Sequence, residues 1–447
     1  MMTTEQQQPS TTTPIQPTDY TTFLSPQSVN DLRQRLTQFI AGQQSAFVRP
    51  ICLVSSGGTA VDLEVNAVRC LDNFSTGLRG AISVEEFLHR GYAVIHLQRE
   101  GSASPYARIL NHHLGLKQSN YSLTTECLSK LFVTTGESDE DDLLQSVLDE
   151  EKDPWMANSD GATEVNIPYS FDIRLHRAIL NSSTLRKALK ERAGVLKEGR
   201  LLTISFRTVD EYIAKLQICA ESLAITKSLA MFYLAAAVSD FYIPIQDKSI
   251  HKIQSSGSNG ESLTLHLKPV PKVMGTLRQQ WAPNAFLVSF KLETDTEILR
   301  QKSIRAVRKY GCHMVIGNML QTRHEMVWLL APNNFACVDD VENWTMKELK
   351  KDRSSGSNLE SSIVDMVVQS HFEYMSYHYS SSEYDLQQIA SAHNDRLLEK
   401  QKEQRNMLWK KVKGIGLEVI GAALTLWISY SINTAFQRRH QRLLDAR

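Results

Sequence analysis

The first segment whose residue types could bind a phosphate is Ser55–Thr59, which reads SSGGT. It follows the apolar run Ile51–Val54, and a glycine-rich turn after a buried strand is where an α/β sheet places its ligand. Gly57 and Gly58 would let backbone amides approach an anion closely. The turn matches neither the Walker sequence nor GxGxxG, which argues against a P-loop kinase and a standard dinucleotide site. A tight turn without a ligand is the alternative.

The second segment is Leu71–Gly77, which reads LDNFSTG and directly precedes a predicted helix. Asn73, Ser75 and Gly77 would present an amide, a hydroxyl and backbone donors to one point. This combination suits a developing oxyanion or a phosphoryl group. The alternative is an asparagine that satisfies its own turn.

Two features further along the chain could complete a nucleotide site. Three alanines, Ala235–Ala237, end an apolar run shortly before Asp240. Small residues at the end of a strand leave room for a base or ribose, with Asp240 as an acceptor, although they are also ordinary core residues. Lys252 is normally a solvated lysine, but after that strand it could neutralise a phosphate.

The elements that must position these residues alternate between strand and helix patterns. Strands are predicted at Ile51–Val54, Tyr92–Leu97, Leu201–Phe206, Met231–Ala237, Ser262–Lys268, Ala285–Phe290, His313–Ile316 and Met326–Ala331. Helices are predicted at Val29–Ile40 with Ser28 as its cap, Leu78–Arg90, Val209–Leu223 and Thr294–Tyr310. The expected fold is α/β, a Rossmann-like doubly wound, mostly parallel sheet with helices on both faces.

The ends of the chain and one internal stretch differ in character from this core. The predicted organisation is a flexible leader over residues 1–27, a folded domain over 28–378 and an acidic insertion at about 134–168. A helical C-terminal extension follows, with a polar linker at 380–412, a candidate membrane helix at 414–436 and a basic tail at 437–447. The 414–436 segment has spanning length, but an interfacial helix and a soluble packing helix are alternatives.

Composition narrows the class of protein. The 447 residues include 49 basic and 49 acidic side chains and are 42% hydrophobic. A protein that binds nucleic acid non-specifically through a strongly basic surface is therefore not expected, and neither is a wholly disordered chain. The six cysteines show no CxxC spacing, which favours free thiols in a reducing compartment. The first residues lack the pattern of a secretory signal, so we expect a cytoplasmic protein, tethered to a membrane if 414–436 inserts.

Taken together, the motifs resemble those of the phosphopantothenate-cysteine ligase family in its monofunctional eukaryotic form. The resemblance covers residues 28–378 and rests on five motifs in order: SSGGT at 55–59, LDNFSTG at 71–77, FYLAAAVSDF at 232–241, HKIQSS at 251–256 and SFKLET at 289–294. The acidic insertion and the residues after about 380 fall outside the family pattern. No segment matches the flavin-dependent decarboxylase to which bacterial relatives are often fused.

The resemblance implies a two-step ligation in coenzyme A biosynthesis. The carboxylate of 4′-phosphopantothenate attacks the α-phosphorus of a nucleoside triphosphate and releases pyrophosphate. The amine of L-cysteine then displaces the nucleoside monophosphate to form the amide. Mg²⁺ would screen the charge of the triphosphate. The family's eukaryotic character favours ATP over CTP, and its members are homodimers.

The resemblance also assigns roles to individual residues. The catalytic residues would be Asn73, which holds the acyl intermediate, and Lys252. Ser75 and Gly77 would bind phosphopantothenate in the phosphate region. The nucleotide would contact Gly57, Gly58, Ala235, Ala236, Ala237, Asp240, Phe290, Lys302 and Arg305. The turn Pro269–Val273 is a secondary nucleotide candidate, and the resemblance assigns no metal ligands.

Two other classes compete with the ligase. A nicotinamide-dependent oxidoreductase would need GxGxxG after the first strand and an acidic residue after the second, which the motifs do not supply. A catalytically silent, membrane-tethered binding protein on the same fold is the other. The presence of Asn73, Asp240 and Lys252 together argues against it, because a silent copy has no chemical need for all three.

Overall fold

An eight-stranded sheet forms the centre of the computed structural model. The structure describes residues 19–44, 49–109, 182–254, 263–335, 343–352 and 358–378, together with the backbone of an antiparallel pair, Phe132–Thr135 and Asp172–Leu175. The strands of the main sheet are β1 (Ile51–Ser56), β2 (Ala93–Arg99), β3 (Leu201–Phe206), β4 (Ala230–Leu234), β5 (Phe286–Glu293), β6 (Met314–Met319), β7 (Met326–Pro332) and β8 (Trp344–Lys350).

The strand order is β8-β7-β6-β5-β4-β1-β2-β3. Neighbours from β3 to β6 pair in parallel, whereas β7 and β8 add antiparallel strands at one edge. The sequence order reverses beside β1, because β2 lies on one side of it and β4 on the other. Ligands of open α/β sheets bind at such a point, outside the carboxyl ends of the strands. The predicted mostly parallel sheet is confirmed.

Helices cover both faces of the sheet. They are α1 (Pro26–Gln44), α2 (Leu78–His89), α3 (Ser183–Lys197), α4 (Val209–Leu223), α5 (Thr296–Tyr310) and α6 (Leu359–His378). Alternate residues of β1 face opposite layers: Leu53 packs with residues of α1, α4 and α5, and Val54 packs with residues of α2, α3 and α6. The continuous apolar run of β1 is therefore buried on both sides, as parallel sheets require.

Two small antiparallel ladders lie beside the sheet. Ala60–Asp62 pairs with Cys70–Asp72 to form a hairpin, and Phe241–Tyr242 pairs with Lys268–Pro269. The strand predicted over Ser262–Lys268 is wrong for the described residues, because only Lys268 of that range is in a strand. In this register, extension of the strand toward residue 266 would bring that residue opposite Pro244, which lacks an amide proton and cannot donate to a longer ladder.

The N-terminal boundary also differs from the prediction. Residues Tyr20–Phe23 form a 3₁₀ helix and α1 begins at Pro26, so the described part of the predicted leader is structured. The ring of Tyr20 is buried edge-on against Trp281, 6.1 Å between centroids, which offsets the ordering entropy. Ser28 lies inside the helix rather than at its cap, and its amide donates to Ser25 Oγ at 3.2 Å.

Several predicted segments lie outside the described residues. These are most of the acidic insertion at 134–168, the linker at 380–412, the candidate membrane helix at 414–436 and the tail at 437–447. In the ranges that the structure does describe, no helix combines the length and apolar character needed to cross a bilayer. Strand β8 was not predicted from the sequence. Its exposed charged side chains (Lys347, Glu348 and Lys350) are typical of an edge strand. They interrupt the pattern of apolar residues from which a strand is predicted.

Candidate active site

The SSGGT turn follows β1 and is packed too closely for larger residues. Gly57 has a φ of +89°, a conformation that favours glycine, and an added Cβ would collide with the side chain of Arg99. A Cβ on Gly58 would collide with the backbone carbonyl of Asn73. Gly58 therefore allows the first two sequence motifs to touch, and Gly57 allows the turn to approach the end of β2.

Hydrogen bonds join this turn to Asn73 and to the alanine segment. The amide of Thr59 donates to the carbonyl oxygen of Ala237 at 3.1 Å, and the Ala237 amide donates to the Gly57 carbonyl at 2.8 Å. The Asn73 amide donates to the Thr59 carbonyl at 3.1 Å, and Asn73 Nδ2 lies 3.4 Å from the Ala237 oxygen. Three segments that are far apart in sequence thus meet at the carboxyl edge of β1 and β4.

Helix α2 points its N-terminus at the same place. Gly77 occupies the N-cap position with a φ of +72° and contributes no side-chain cap. Ser75 Oγ and Thr76 Oγ1 accept only long bonds, each 3.4 Å, from the amides of Gly77 and Leu78. A helix start with weakly satisfied amides carries partial positive charge and attracts anions. An added Cβ on Gly77 would lie 3.4 Å from the amide nitrogen of Gly57, so the helix start and the turn are adjacent.

The alanine segment lies between the turn and Asp240. The amides of Ala235 and Ala236 donate to Ser55, to its carbonyl at 3.2 Å and to its hydroxyl at 3.3 Å. Asp240 is exposed, and its Oδ1 lies 3.0 Å from Lys272 Nζ. Lys272 belongs to the turn Pro269–Val273, so the structure brings this secondary candidate beside Asp240.

Four predicted residues are not joined to this group by any described contact. Lys302 Nζ pairs with Glu293 Oε1 at 2.7 Å, and Arg305 is exposed on the same helix, α5. The ring of Phe290 packs edge-on against Tyr233, with centroids 4.9 Å apart, in the layer that contains α2 and α6. Lys252 is exposed, and its side chain has no hydrogen bond or ion pair within the described part of the chain.

Basic residues at the strand ends were missed by the sequence reasoning. Arg99, the last residue of β2, donates from Nη1 to the Gly58 carbonyl at 3.2 Å and pairs with Asp72. Burial lowers the pKa of Lys291 on β5, and the positive charge of Lys272 contributes. Their positions at the carboxyl ends of parallel strands were a usable signal, because that edge holds the ligand.

The charges at this edge favour an anionic ligand. Both nearby carboxylates are already paired, Asp72 with Arg99 and Asp240 with Lys272. Lys291 and the start of α2 add further positive potential. Among the described residues, no group of three or more His, Cys, Asp or Glu side chains could hold a metal ion. The residues present fit Mg²⁺ that is held chiefly by phosphate oxygens, with Asp240 as the more exposed of the two carboxylates.

Several known proteins are similar in sequence to this chain over most of its length. Residues 208–368 match the DNA/pantothenate metabolism flavoprotein C-terminal domain family. The chain is 37% identical over 346 residues to phosphopantothenate–cysteine ligase 1 of Oryza sativa subsp. japonica, covering 76% of this chain and 88% of that protein. Identity to the phosphopantothenate–cysteine ligase of Homo sapiens is 34% over 334 residues, covering 74% and 89% of the two chains.

Solved structures share the fold as well. A Cab2 mutant in complex with phosphopantothenate-cysteine has a TM-score of 0.61 at 31% identity, covering 80% of this chain and 98% of that one. Fold and site together define an α/β protein with a polar edge, suited to an anion, at the switch point of a mostly parallel sheet. By its similarity to these relatives, the chain belongs to the phosphopantothenate–cysteine ligase family.

Proposed function

We propose that this chain joins 4′-phosphopantothenate to L-cysteine through an acyl-nucleotidylate, releasing pyrophosphate and a nucleoside monophosphate. The observation that supports this most strongly is the convergence of Gly57, Asn73 and Ala237 at one sheet edge, linked by hydrogen bonds between segments that the family motifs mark separately. The placement at the switch point beside β1 gives this edge the location at which α/β sheets bind nucleotides.

Asn73 is the residue we assign to the acyl intermediate. Its side-chain amide carries two N–H groups, and the only described bond to that amide is the long one to Ala237. The remaining donor can stabilise negative charge that develops when the carboxylate attacks the α-phosphorus. The hydrogen bond between its backbone amide and the Thr59 carbonyl fixes the Asn73 backbone relative to the glycine turn, so the side chain projects from a set position.

The phosphate groups are assigned to the glycine turn and the start of α2. Gly57, Gly58, Ser75 and Gly77 would supply backbone and hydroxyl donors to the phosphate oxygens. Arg99 fixes the turn through the Gly58 carbonyl. Lys252, which is exposed and unpaired among the described residues, would approach the phosphates from the segment that is bonded to the hairpin.

The nucleotide is assigned to the alanine segment, with ATP favoured over CTP. The backbone of Ala235–Ala237 is half-buried, which leaves a shallow surface for a base or ribose, and Asp240 would accept from it. Mg²⁺, when bound with the triphosphate, supplies charge screening at the phosphate oxygens. Phe290, Lys302 and Arg305 remain proposed contacts, for which the family resemblance is the support.

A homodimer and a cytoplasmic location are also part of the proposal. The two small ladders and the loops beside them expose large apolar side chains, namely Val65, Val68, Leu71, Phe241 and Ile250. Exposed apolar groups of this kind are typical of protein–protein interfaces. Phe241→Asp should therefore convert a dimer to a monomer in light scattering. Membrane contact through residues 414–436 would tether the enzyme without altering its chemistry.

The decisive experiment supplies the purified protein with 4′-phosphopantothenate, Mg²⁺ and either ATP or CTP, and follows pyrophosphate. Pyrophosphate is expected only with substrate present, and the amide should form only after cysteine is added. Release of orthophosphate and a nucleoside diphosphate would exclude the acyl-nucleotidylate route. Binding of substrate without turnover would support the silent binding protein instead.

A further inference from the structure

One hairpin connects the positions of the two assigned catalytic residues. Its strands are Ala60–Asp62 and Cys70–Asp72, and its base carries Asn73, whose amide donates to the Thr59 carbonyl at 3.1 Å. The tip of the hairpin, residues 63–69, lies against the segment that contains Lys252. The hairpin therefore links a donor at the sheet edge to a lysine on a separate part of the chain.

Glu64 at the tip is a fully buried carboxylate with several donors around it. Arg69 contacts Glu64 Oε1 through Nε at 3.0 Å and Nη2 at 2.7 Å. The backbone amides of Arg69 and Val68 donate to Oε2 at 3.1 and 3.4 Å. The amide of Ile253 donates to Oε1 at 3.3 Å. Charge-assisted bonds of this kind are stronger and more directional than neutral ones.

The same tip holds both sides of Lys252. The amides of Val65 and Asn66 donate to the carbonyls of Ser249 and Ile250 at 2.9 and 3.1 Å. On the other side, Arg69 Nη2 donates to the Ile253 carbonyl at 2.6 Å while Glu64 accepts from the Ile253 amide. The backbone of Lys252 is thus fixed between anchored residues, although its side chain is exposed.

We propose that Glu64 and Arg69 are positioning residues that hold Lys252 at the active site through both backbone groups of Ile253. This Glu64 clamp, defined as Glu64, Arg69 and the backbone of Ile253, rests on the role proposed above for Lys252. Glu64 and Arg69 touch no substrate in this scheme. They act by fixing the distance between Lys252 and the hairpin base that carries Asn73.

The charge state of the clamp suits a permanent tether. Burial opposes ionisation of Glu64, but hydrogen bonds from the Arg69 side chain and from the amides of Arg69, Ile253 and Val68 outweigh it and lower its pKa to about 2. The carboxylate is therefore ionised at every pH at which a ligase would work. Neutralising it leaves Arg69 without its partner and weakens both contacts to Ile253.

A double-mutant cycle on the full-length protein tests the proposal. Glu64→Gln should lower kcat/KM for amide formation by about 10- to 100-fold, since small displacements of a catalytic group reach that size. In a Lys252→Ala background, Glu64→Gln should change kcat/KM by less than about twofold, because the group that it positions is gone. Arg69→Ala, which changes a part-exposed side chain, provides a second variant if Glu64→Gln does not fold.

Asp62→Asn is the matched control. Asp62 is another largely buried carboxylate of the same hairpin and pairs with Arg207 at 2.9 Å, but it makes no described contact with residues 249–253. This variant should retain kcat/KM within about threefold, by the usual independence of sites that share no partner. Trypsin cleavage after Lys252 should accelerate in Glu64→Gln and Arg69→Ala but not in Asp62→Asn.

The possible outcomes distinguish failure of the Glu64 clamp from failure of the proposed ligase function on which it rests. An inactive wild-type protein would contradict the ligase assignment, and a fully active Lys252→Ala variant would contradict the role of the lysine. If Lys252→Ala is impaired while Glu64→Gln and Arg69→Ala are active, the clamp is refuted. Additive losses in the double variant would also refute it, because they would show that Glu64 acts independently of Lys252.

Discussion

His371 gives the structure a buried site whose titration should destabilise the fold. It lies on α6 with no exposed surface, 2.8 Å from the Tyr92 hydroxyl through Nδ1 and 2.8 Å from the Ser228 carbonyl oxygen through Nε2. A carbonyl only accepts, so Nε2 carries the proton and Nδ1 accepts from Tyr92. The neutral ring satisfies both contacts, and burial lowers the pKa of His371 to about 4.

The sign and size of the effect follow from this shift. The unfolded chain takes up the proton near pH 6.5, whereas the folded protein resists protonation until about pH 4. The stability contributed by the neutral ring is therefore complete above pH 6.5 and is lost as the pH falls. Linkage gives a loss of about 2 kcal/mol at pH 5 and about 3 kcal/mol at pH 4.

Urea unfolding of the wild-type protein and His371→Gln at pH 7.5 and pH 5 measures this contribution. The variant should be less stable at pH 7.5, by about 1–3 kcal/mol for the altered buried hydrogen bonds. The difference between the two proteins should shrink by about 2 kcal/mol at pH 5, because Gln does not titrate. Burial also lowers the pKa of His96, whose contribution cancels because both proteins contain it. The pKa of His313 is lowered by burial and, to a smaller extent, by nearby groups that include His371, so its contribution cancels apart from this coupling.

Tyr92→Phe provides the control, since it removes a hydrogen-bond partner but leaves His371 to titrate. As the pH is lowered from 7.5 to 5, the stability of this variant should decrease by about as much as that of the wild-type protein. A constant difference between wild type and His371→Gln at both pH values would refute the reasoning. It would mean that the folded protein accepts a proton at His371 as readily as the unfolded chain does.

Three further predictions concern the site and the tail. Asn73→Asp should reduce pyrophosphate release by about 10²- to 10³-fold, because a carboxylate replaces the donor beside an anionic intermediate, with an unchanged urea midpoint; normal turnover would remove Asn73 from the site. Gly58→Ala should lower both activity and melting temperature, since its Cβ overlaps the Asn73 carbonyl, whereas Gly42→Ala, which meets nothing within 4 Å, should raise the melting temperature by the helix preference for Ala. Deletion of residues 380–447 should leave a soluble, active ligase, while the full-length protein should sediment with membranes after alkaline carbonate extraction; recovery in the supernatant would exclude a spanning helix.

The sequence alone determined the elements whose signals are local. The apolar run of β1 and the three- and four-residue spacing of α1 each reflect burial of one segment, and each forms as predicted. Helix α2 and the apolar run of β4 are likewise predicted without knowledge of their neighbours, although β4 ends at Leu234 rather than at the predicted Ala237. The order of the five motifs was sufficient to indicate the ligase family for the same reason, because it depends only on residue type and position.

Only the tertiary structure decided which of these residues act together. Glu64 and Ile253 are separated by 189 residues, so no local pattern predicts their contact, and Glu64 reads in the sequence as an ordinary surface acid. The phosphate contact of Lys302 stays a prediction, and the structure shows its Nζ paired with Glu293, a partner set by the packing of α5 rather than by the helix spacing. Contacts of this kind form where the burial of the whole core brings separate elements together. That arrangement depends on many residues along the chain and not on any short segment.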